Sequence, residues 1–117
     1  MASTNQNFYL FQGETKKIRV SVVDSTGEPF DLNGSSLEWI LYRNIDSTPS
    51  IKKTSVSGIN VVTPSTSGLF DIYLNQNDTE LLPGYYNHEA RIVDPSGNQS
   101  VVSNGTVEIK FSITNNN

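Results

Sequence analysis

The 117 residues carry twelve acidic side chains against eight basic ones, a net charge of −4, and no cysteine. A chain of this length suits one domain. The charge balance argues against sequence-independent nucleic-acid binding, which needs clustered Lys and Arg to displace counterions. The missing cysteines exclude disulfides, thiolate metal sites and cysteine nucleophiles, and no apolar run approaches the length of a membrane-spanning helix.

Residues 1–6 are polar and lack the basic start and apolar stretch of a secretion signal; they read as an arm. Asn7–Phe11 is the first apolar stretch. From there the apolar residues recur at every second position, the signal of half-buried strands. Lys16–Val23 turns Ile18, Val20 and Val22 one way and Lys17, Arg19 and Ser21 the other, and Asp24–Gly27 closes it as a turn. Ser36–Arg43 sets Leu37, Trp39 and Leu41 against Glu38, Ile40 and Tyr42. A polar stretch, Asn44–Ser50, leads to two weak strands near Ile51–Ser55 and Ile59–Thr63, and Pro64–Ser67 breaks the pattern again. Leu69–Leu74 points Phe70, Ile72 and Leu74 inward. Asn77–Leu82 reads as one helical turn, with Asn77 as cap and Glu80 as its return partner. Tyr85–Val93 places Tyr86, His88, Ala90 and Ile92 on one face, and Asp94-Pro95-Ser96-Gly97 is a strong turn. The last strand starts at Gln99–Ser103, kinks or bulges at Asn104-Gly105, and runs on through Thr106–Ile113 with Val107, Ile109, Phe111 and Ile113 inward.

Seven or eight antiparallel strands, turns roughly every ten residues and one short helical turn before the sixth strand predict an all-β, immunoglobulin-like sandwich. The sandwich spans 7–113, between the polar arm 1–6 and a polar tail 114–117.

Two residues sharpen that fold. In immunoglobulin sandwiches a buried Trp on the third strand packs between the sheets, and a Tyr near the start of the sixth bonds back across the corner. Trp39 and Tyr86 hold those places. His88 follows two residues after Tyr86, where antibody domains carry a cysteine. All three read as structural core. His88 is the only histidine, and its strand neighbours Tyr86, Ala90 and Ile92 offer no metal ligand or catalytic partner. The acids Asp24, Glu28, Asp31, Asp46, Asp71, Asp78 and Asp94 lie mostly in turn-like segments, with no pair at a spacing that a strand or helix would converge. The basic pairs Lys16-Lys17, with Arg19, and Lys52-Lys53 read as solvated faces. No phosphate loop or nucleophile elbow occurs. The expectation is a non-enzymatic chain without cofactor or metal.

Function is then left to surfaces. The third and sixth strands are neighbours in this topology, and their outward residues include Ile40, Tyr42, Tyr85 and Val93 amid few charges, the composition interface cores favour. Phe8 and Tyr9, in the first apolar stretch, form a second candidate interface, because edge strands invite pairing with another chain. The alternative readings are ordinary cross-strand pairing for the first group and a strand closing its own sheet for the second.

The order of short motifs also carries a resemblance. Gln12-Gly13-Glu14-Thr15 precedes Val20–Asp24 and Gly27-Glu28-Pro29-Phe30-Asp31-Leu32-Asn33-Gly34. Leu37-Glu38-Trp39, Gly68–Ile72, Leu81-Leu82-Pro83-Gly84-Tyr85-Tyr86 and Asp94–Gly97 follow. Over about Asn7–Ile113 this resembles the immunoglobulin-like domains of tailed-phage virion proteins. It is similar to the N-terminal domain of the baseplate upper protein family and to small head or tail accessory proteins. The resemblance implies a virion structural protein without catalytic residues, assembled in the host cytoplasm. Its partners would be capsid or tail and baseplate subunits, or further copies of itself, and neither nucleic acid nor membrane. A free-standing domain fits capsid decoration first, and a tail, neck or baseplate accessory second. A glycan-binding adhesin module is a further alternative, with Tyr42, Tyr73 and Tyr85 as exposed aromatics.

Overall fold

A computed structural model describes residues 4–43 and 49–113. Asp46, the tail 114–117 and most of the Asn44–Ser50 stretch fall outside those residues. The strands are β1 (Thr4–Asn5), β2 (Phe8–Phe11), β3 (Lys16–Ser21), β4 (Ser36–Tyr42), β5 (Ile51–Thr54), β6 (Ile59–Val61), β7 (Leu69–Leu74), β8 (Gly84–Val93) and β9 (Gln99–Lys110). They form two sheets. The larger has the order β1-β9-β8-β4-β5, with β2 also on β9, and the smaller has β3-β7-β6. β1 and β2 are two pieces of one edge strand, interrupted at Gln6-Asn7. The molecule is an immunoglobulin-like β-sandwich.

The core follows from the alternation. Ile18, Val20 and Val22 come from the β3 segment, and Phe70, Ile72 and Leu74 from β7. They face Leu37, Trp39 and Leu41 of β4, Ala90 and Ile92 of β8, and Val107 and Ile109 of β9. Each inward residue sits two positions from the next because successive side chains on a strand point to opposite faces. The two weak strands part company: β5 pairs with β4 in the large sheet, and β6 with β7 in the small one.

Several local readings are corrected. The first strand is not antiparallel: β1 and β2 both run parallel to β9, pairing Asn5 with Asn104 and Leu10 with Ile109. Residues Thr4–Gln6 are therefore part of the sheet and not a free arm. The irregularity in β9 lies at Val102, where the register skips from Ala90–Ser103 to Arg91–Val101. The extra residue resets the parity, so Val102 and Ser103 are both buried. Asn104-Gly105 stays paired, and glycine is needed there for another reason: an added Cβ would enter the Gln6 carbonyl oxygen. β9 ends at Lys110, so Phe111 and Ile113 lie beyond the alternation and are exposed, not inward.

The segment before β8 is a turn at residues 76–79. Its reciprocal cap is Asn75 with Asp78, since each backbone N–H donates to the other's side-chain oxygen, at 2.8 and 2.9 Å. The helical turn among the described residues is instead Ser65–Ser67. Lys53 is not a solvated charge: its Nζ lies 2.7 Å from Asp78 Oδ2, tying β5 to that turn.

Asp24 and Asp94 build the same turn twice. In each, the carboxylate Oδ1 accepts from the backbone N–H groups two and four residues on, at 2.8–3.1 Å. Hydrogen bonds hold both carboxyls below the usual carboxylate range, led at Asp24 by the one from the Thr26 hydroxyl and at Asp94 by the one from the Asn98 backbone N–H.

Trp39→Ala is expected to cost about 3–5 kcal/mol by opening a cavity in this core, read as a lower chemical-denaturation midpoint. Gly97→Ala meets nothing within 4 Å but must hold φ near +90°, at about 1–2 kcal/mol. Gly105→Ala is expected to exceed it by the roughly 1–3 kcal/mol of overpacking, and equal losses for the two glycines would refute the close approach of Gln6.

Candidate binding surface

The outer face of the large sheet is a grid set by register. At one end Ser36 pairs with Val93 and Val93 with Gln99. One step on, Glu38 pairs with Arg91, and next Ile40 lies between Lys52 and Glu89. Tyr42, Asn87 and Thr106 form the following row, and Tyr85, Glu108 and Tyr9 the one after. At the far end Phe11 pairs with Lys110.

This grid separates residues that alternation alone had grouped. Ile40, Tyr42 and Val93 are half-buried, and polar or charged residues stand between them. Val93 sits at the opposite end from Tyr85. They do not form one apolar surface. Phe8 is half-buried: it points inward and packs against the core, its ring centroid 5.2 Å from that of His88. Tyr9 and Tyr85 do lie together, flanking Glu108, and Tyr85 is 71% exposed.

Around those two tyrosines the end of the sheet collects exposed apolar side chains. Phe11 meets the Tyr9 ring edge-on at 6.1 Å, and Lys110 Nζ lies 4.0 Å from the Tyr9 ring centroid. Phe111 follows Lys110 directly. Leu82 precedes Gly84, which pairs with Ile109, and the Ser112 N–H donates to Gln12 Oε1, keeping Ile113 at the same end. Of the eight exposed large hydrophobic residues among the described residues, six are here: Tyr9, Phe11, Leu82, Tyr85, Phe111 and Ile113. Alternation had assigned Phe111 and Ile113 to the core, because nothing local marks where β9 loses its neighbours.

Behind this face lies a buried polar line. The Trp39 indole N–H donates to His88 Nδ1 at 3.1 Å, and His88 Nε2 lies 2.6 Å from the Gln6 carbonyl oxygen. An indole only donates and a carbonyl only accepts, so His88 is neutral with its proton on Nε2. Burial pushes its pKa below the usual 6.5, opposed in part by the bond to Gln6. The Tyr86 hydroxyl donates to the Leu82 carbonyl at 2.7 Å across the corner. On the other sheet Asp71 lies on β7, not in a turn, and takes both oxygens to Arg19 at 2.8 and 3.0 Å. The hydrogen bond from Arg19 holds its carboxyl below the usual range. Among the described residues no group of three or more His, Cys, Asp or Glu side chains gathers as a metal site. No helix among them is long and apolar enough to cross a membrane.

No family model matches the chain, and no curated protein matches it. Among solved structures it is similar to murine CRIg, at 17% identity over 91% of this chain and 92% of that one, with a TM-score of 0.43. It is also similar to AggA, the major subunit of aggregative adherence fimbriae type I from Escherichia coli. There the identity is 13%, the coverage 91% and 89%, and the TM-score 0.32.

The buried histidine sets a pH dependence. Between its folded pKa and 6.5 the unfolded chain binds a proton that the folded chain refuses. Stability is therefore full above that window and falls as pH drops through it. The carboxylates Asp24, Asp31, Asp71 and Asp94 sit below their ordinary 3.8, so they act only in stronger acid. Thermal melts should show a decline from neutral pH toward about pH 5 that His88→Gln removes. A wild-type melting temperature constant across that range would contradict the neutral, buried ring.

Proposed function

We propose that this chain is a non-enzymatic structural protein of a tailed-phage virion, a capsid decoration protein fastened to the head by protein–protein contacts. The observation that carries the attachment reading is the apolar end of the large sheet. Exposed aromatic and aliphatic side chains concentrated in one area, outnumbering the charged Glu14, Lys16, Glu108 and Lys110 around them, suit an interface core. The same kind of side chain is sparse elsewhere on the described surface, where Val56 and Tyr73 stand apart. The phage assignment is supported by the order of motifs from Gln12-Gly13-Glu14-Thr15 to Asp94–Gly97 and their likeness to virion immunoglobulin-like domains. Attachment of this kind works by repetition. Each copy adds modest contacts, a lattice of copies adds avidity, and binding only the assembled shell stabilises that state.

Two measurements test the proposal. Quantitative mass spectrometry of purified particles should find hundreds of copies; six or twelve would move the protein to the tail or neck, and none would end the virion reading. Particles assembled with a Tyr85→Glu, Phe111→Glu double variant should lose the protein, with affinity reduced roughly 30-fold or more, the weight of one or more hot-spot side chains. Ile40→Glu with Tyr42→Glu should leave attachment intact. The opposite pattern would place the contact on the middle of the sheet.

A further inference from the structure

The middle of the same face carries a second feature, which the attachment reading does not use. A shallow depression of about 400 Å³ opens over β1, β4, β8 and β9, lined by Asn5, Asn7, Tyr42, Asn87, Asn104 and Thr106. The register explains why they meet. Tyr42, Asn87 and Thr106 form one row, and Asn5 pairs with Asn104 in the next. Asn7 joins them by accepting from the Thr106 N–H at 2.9 Å and from its hydroxyl at 3.3 Å.

Asparagine is depleted in strands because its short amide competes for backbone hydrogen bonds and packs poorly on a pleated surface. Here Asn5, Asn87 and Asn104 stand on three adjacent strands, on one face. Within the described residues none of these three side-chain amides meets a partner, and neither does the Tyr42 hydroxyl. They cap no helix, close no turn and bridge no strands. Three such breaks side by side around one depression, unlike the isolated Asn60, mark a place where function sets the residues.

The chemistry narrows the ligand. Each side-chain amide offers two donors and an acceptor in one plane, which matches the paired donor and acceptor character of neighbouring hydroxyls. Thr106 and Tyr42 add hydroxyls of their own, and the half-buried Tyr42 ring supplies an apolar wall. No Lys or Arg lines the depression, and its one carboxylate, Glu89, is engaged by Arg91 at 3.2 Å. That excludes a match to phosphates or other anions. Because strands hold these residues, their backbone positions are set before a ligand arrives, and only side-chain rotation is left to be ordered on binding. We infer that this depression is a binding site for a neutral saccharide.

The test uses the isotope-labelled full chain, titrated in the millimolar range with glucose, galactose, mannose, N-acetylglucosamine and short linear oligomers of each. At least one sugar should give saturable shifts in the amide signals of Asn5, Asn87, Asn104 and Thr106. A response to single sugars makes one ring sufficient, and a response to oligomers alone makes a polymeric chain the ligand. Asn87→Val with Asn104→Val, both exposed strand positions, should keep the fold and weaken binding at least tenfold. Asn60→Val, an exposed strand asparagine on the other sheet, should leave it unchanged. No saturable shift with any sugar, shifts mapping elsewhere, or full affinity in the double variant would overturn the site. Particle attachment is read separately, so failure here leaves the attachment proposal standing, and the converse holds.

Discussion

The indole of Trp39, the ring of His88 and the carbonyl of Gln6 make one hydrogen-bonded line from the centre of the sandwich to its edge. Much of the remaining architecture depends on it. A buried polar group without a partner costs about 1–3 kcal/mol, so the line must be complete or absent. Completing it requires the Gln6 backbone at the edge of the large sheet. Gln6 is then fixed from every side: its N–H donates to Asn104, and its side chain accepts from Ser103 and reaches Arg19 across to the small sheet. Ser103 can face inward only because of the extra residue at Val102, and the close approach needs glycine at position 105. The parallel first strand, the bulge and the glycine thus all converge on the satisfaction of one imidazole.

That arrangement also decides which edges are open. With β1 and β2 laid along β9, that edge of the large sheet is two short pieces, and the last residue of β2 is closed off; β5 is the opposite edge, and β3 and β6 are the edges of the small sheet. The Phe11 N–H donates to the Glu14 carboxylate, and the Phe11 carbonyl accepts from the Glu14 N–H. Edges blunted in this way resist strand addition. The contacts proposed above use side chains on the outer face instead, at the apolar end and in the amide-lined middle. The opposite end is built for rigidity, with the paired Asp24 and Asp94 turns and the Asp31 carboxylate, which accepts from Ser65 and from the Asn33 N–H.

The two surface regions differ in how they would bind. The apolar end offers area that water leaves readily and little direction. The amide-lined middle offers direction, and the Tyr42 ring supplies its apolar area. Their borders are one step apart along the strands, where Asn87 follows Tyr85 by two residues on the same face. An attached copy would hold its polar depression beside the contact and not beneath it.

Period-two alternation in the sequence determined the strands of β3, β4, β7 and β8 and their buried faces, because each of those strands has one side in water and one in the core. Trp39, Tyr86 and His88 were legible as interior for the same reason. Alternation carries no information about which strand lies beside which, so the parallel edge, the split of β5 from β6 and the rows that join Asn5, Asn87 and Asn104 emerged only in three dimensions. Phe8 illustrates the limit: as part of an apolar run it looked like surface, and its side chain is spent on the His88 ring. Phe111 and Ile113 fail in the other direction, since their alternation continues past the last partner that could cover them. A residue's inward or outward preference is written locally, but burial needs a neighbour, and the tertiary structure alone supplies it.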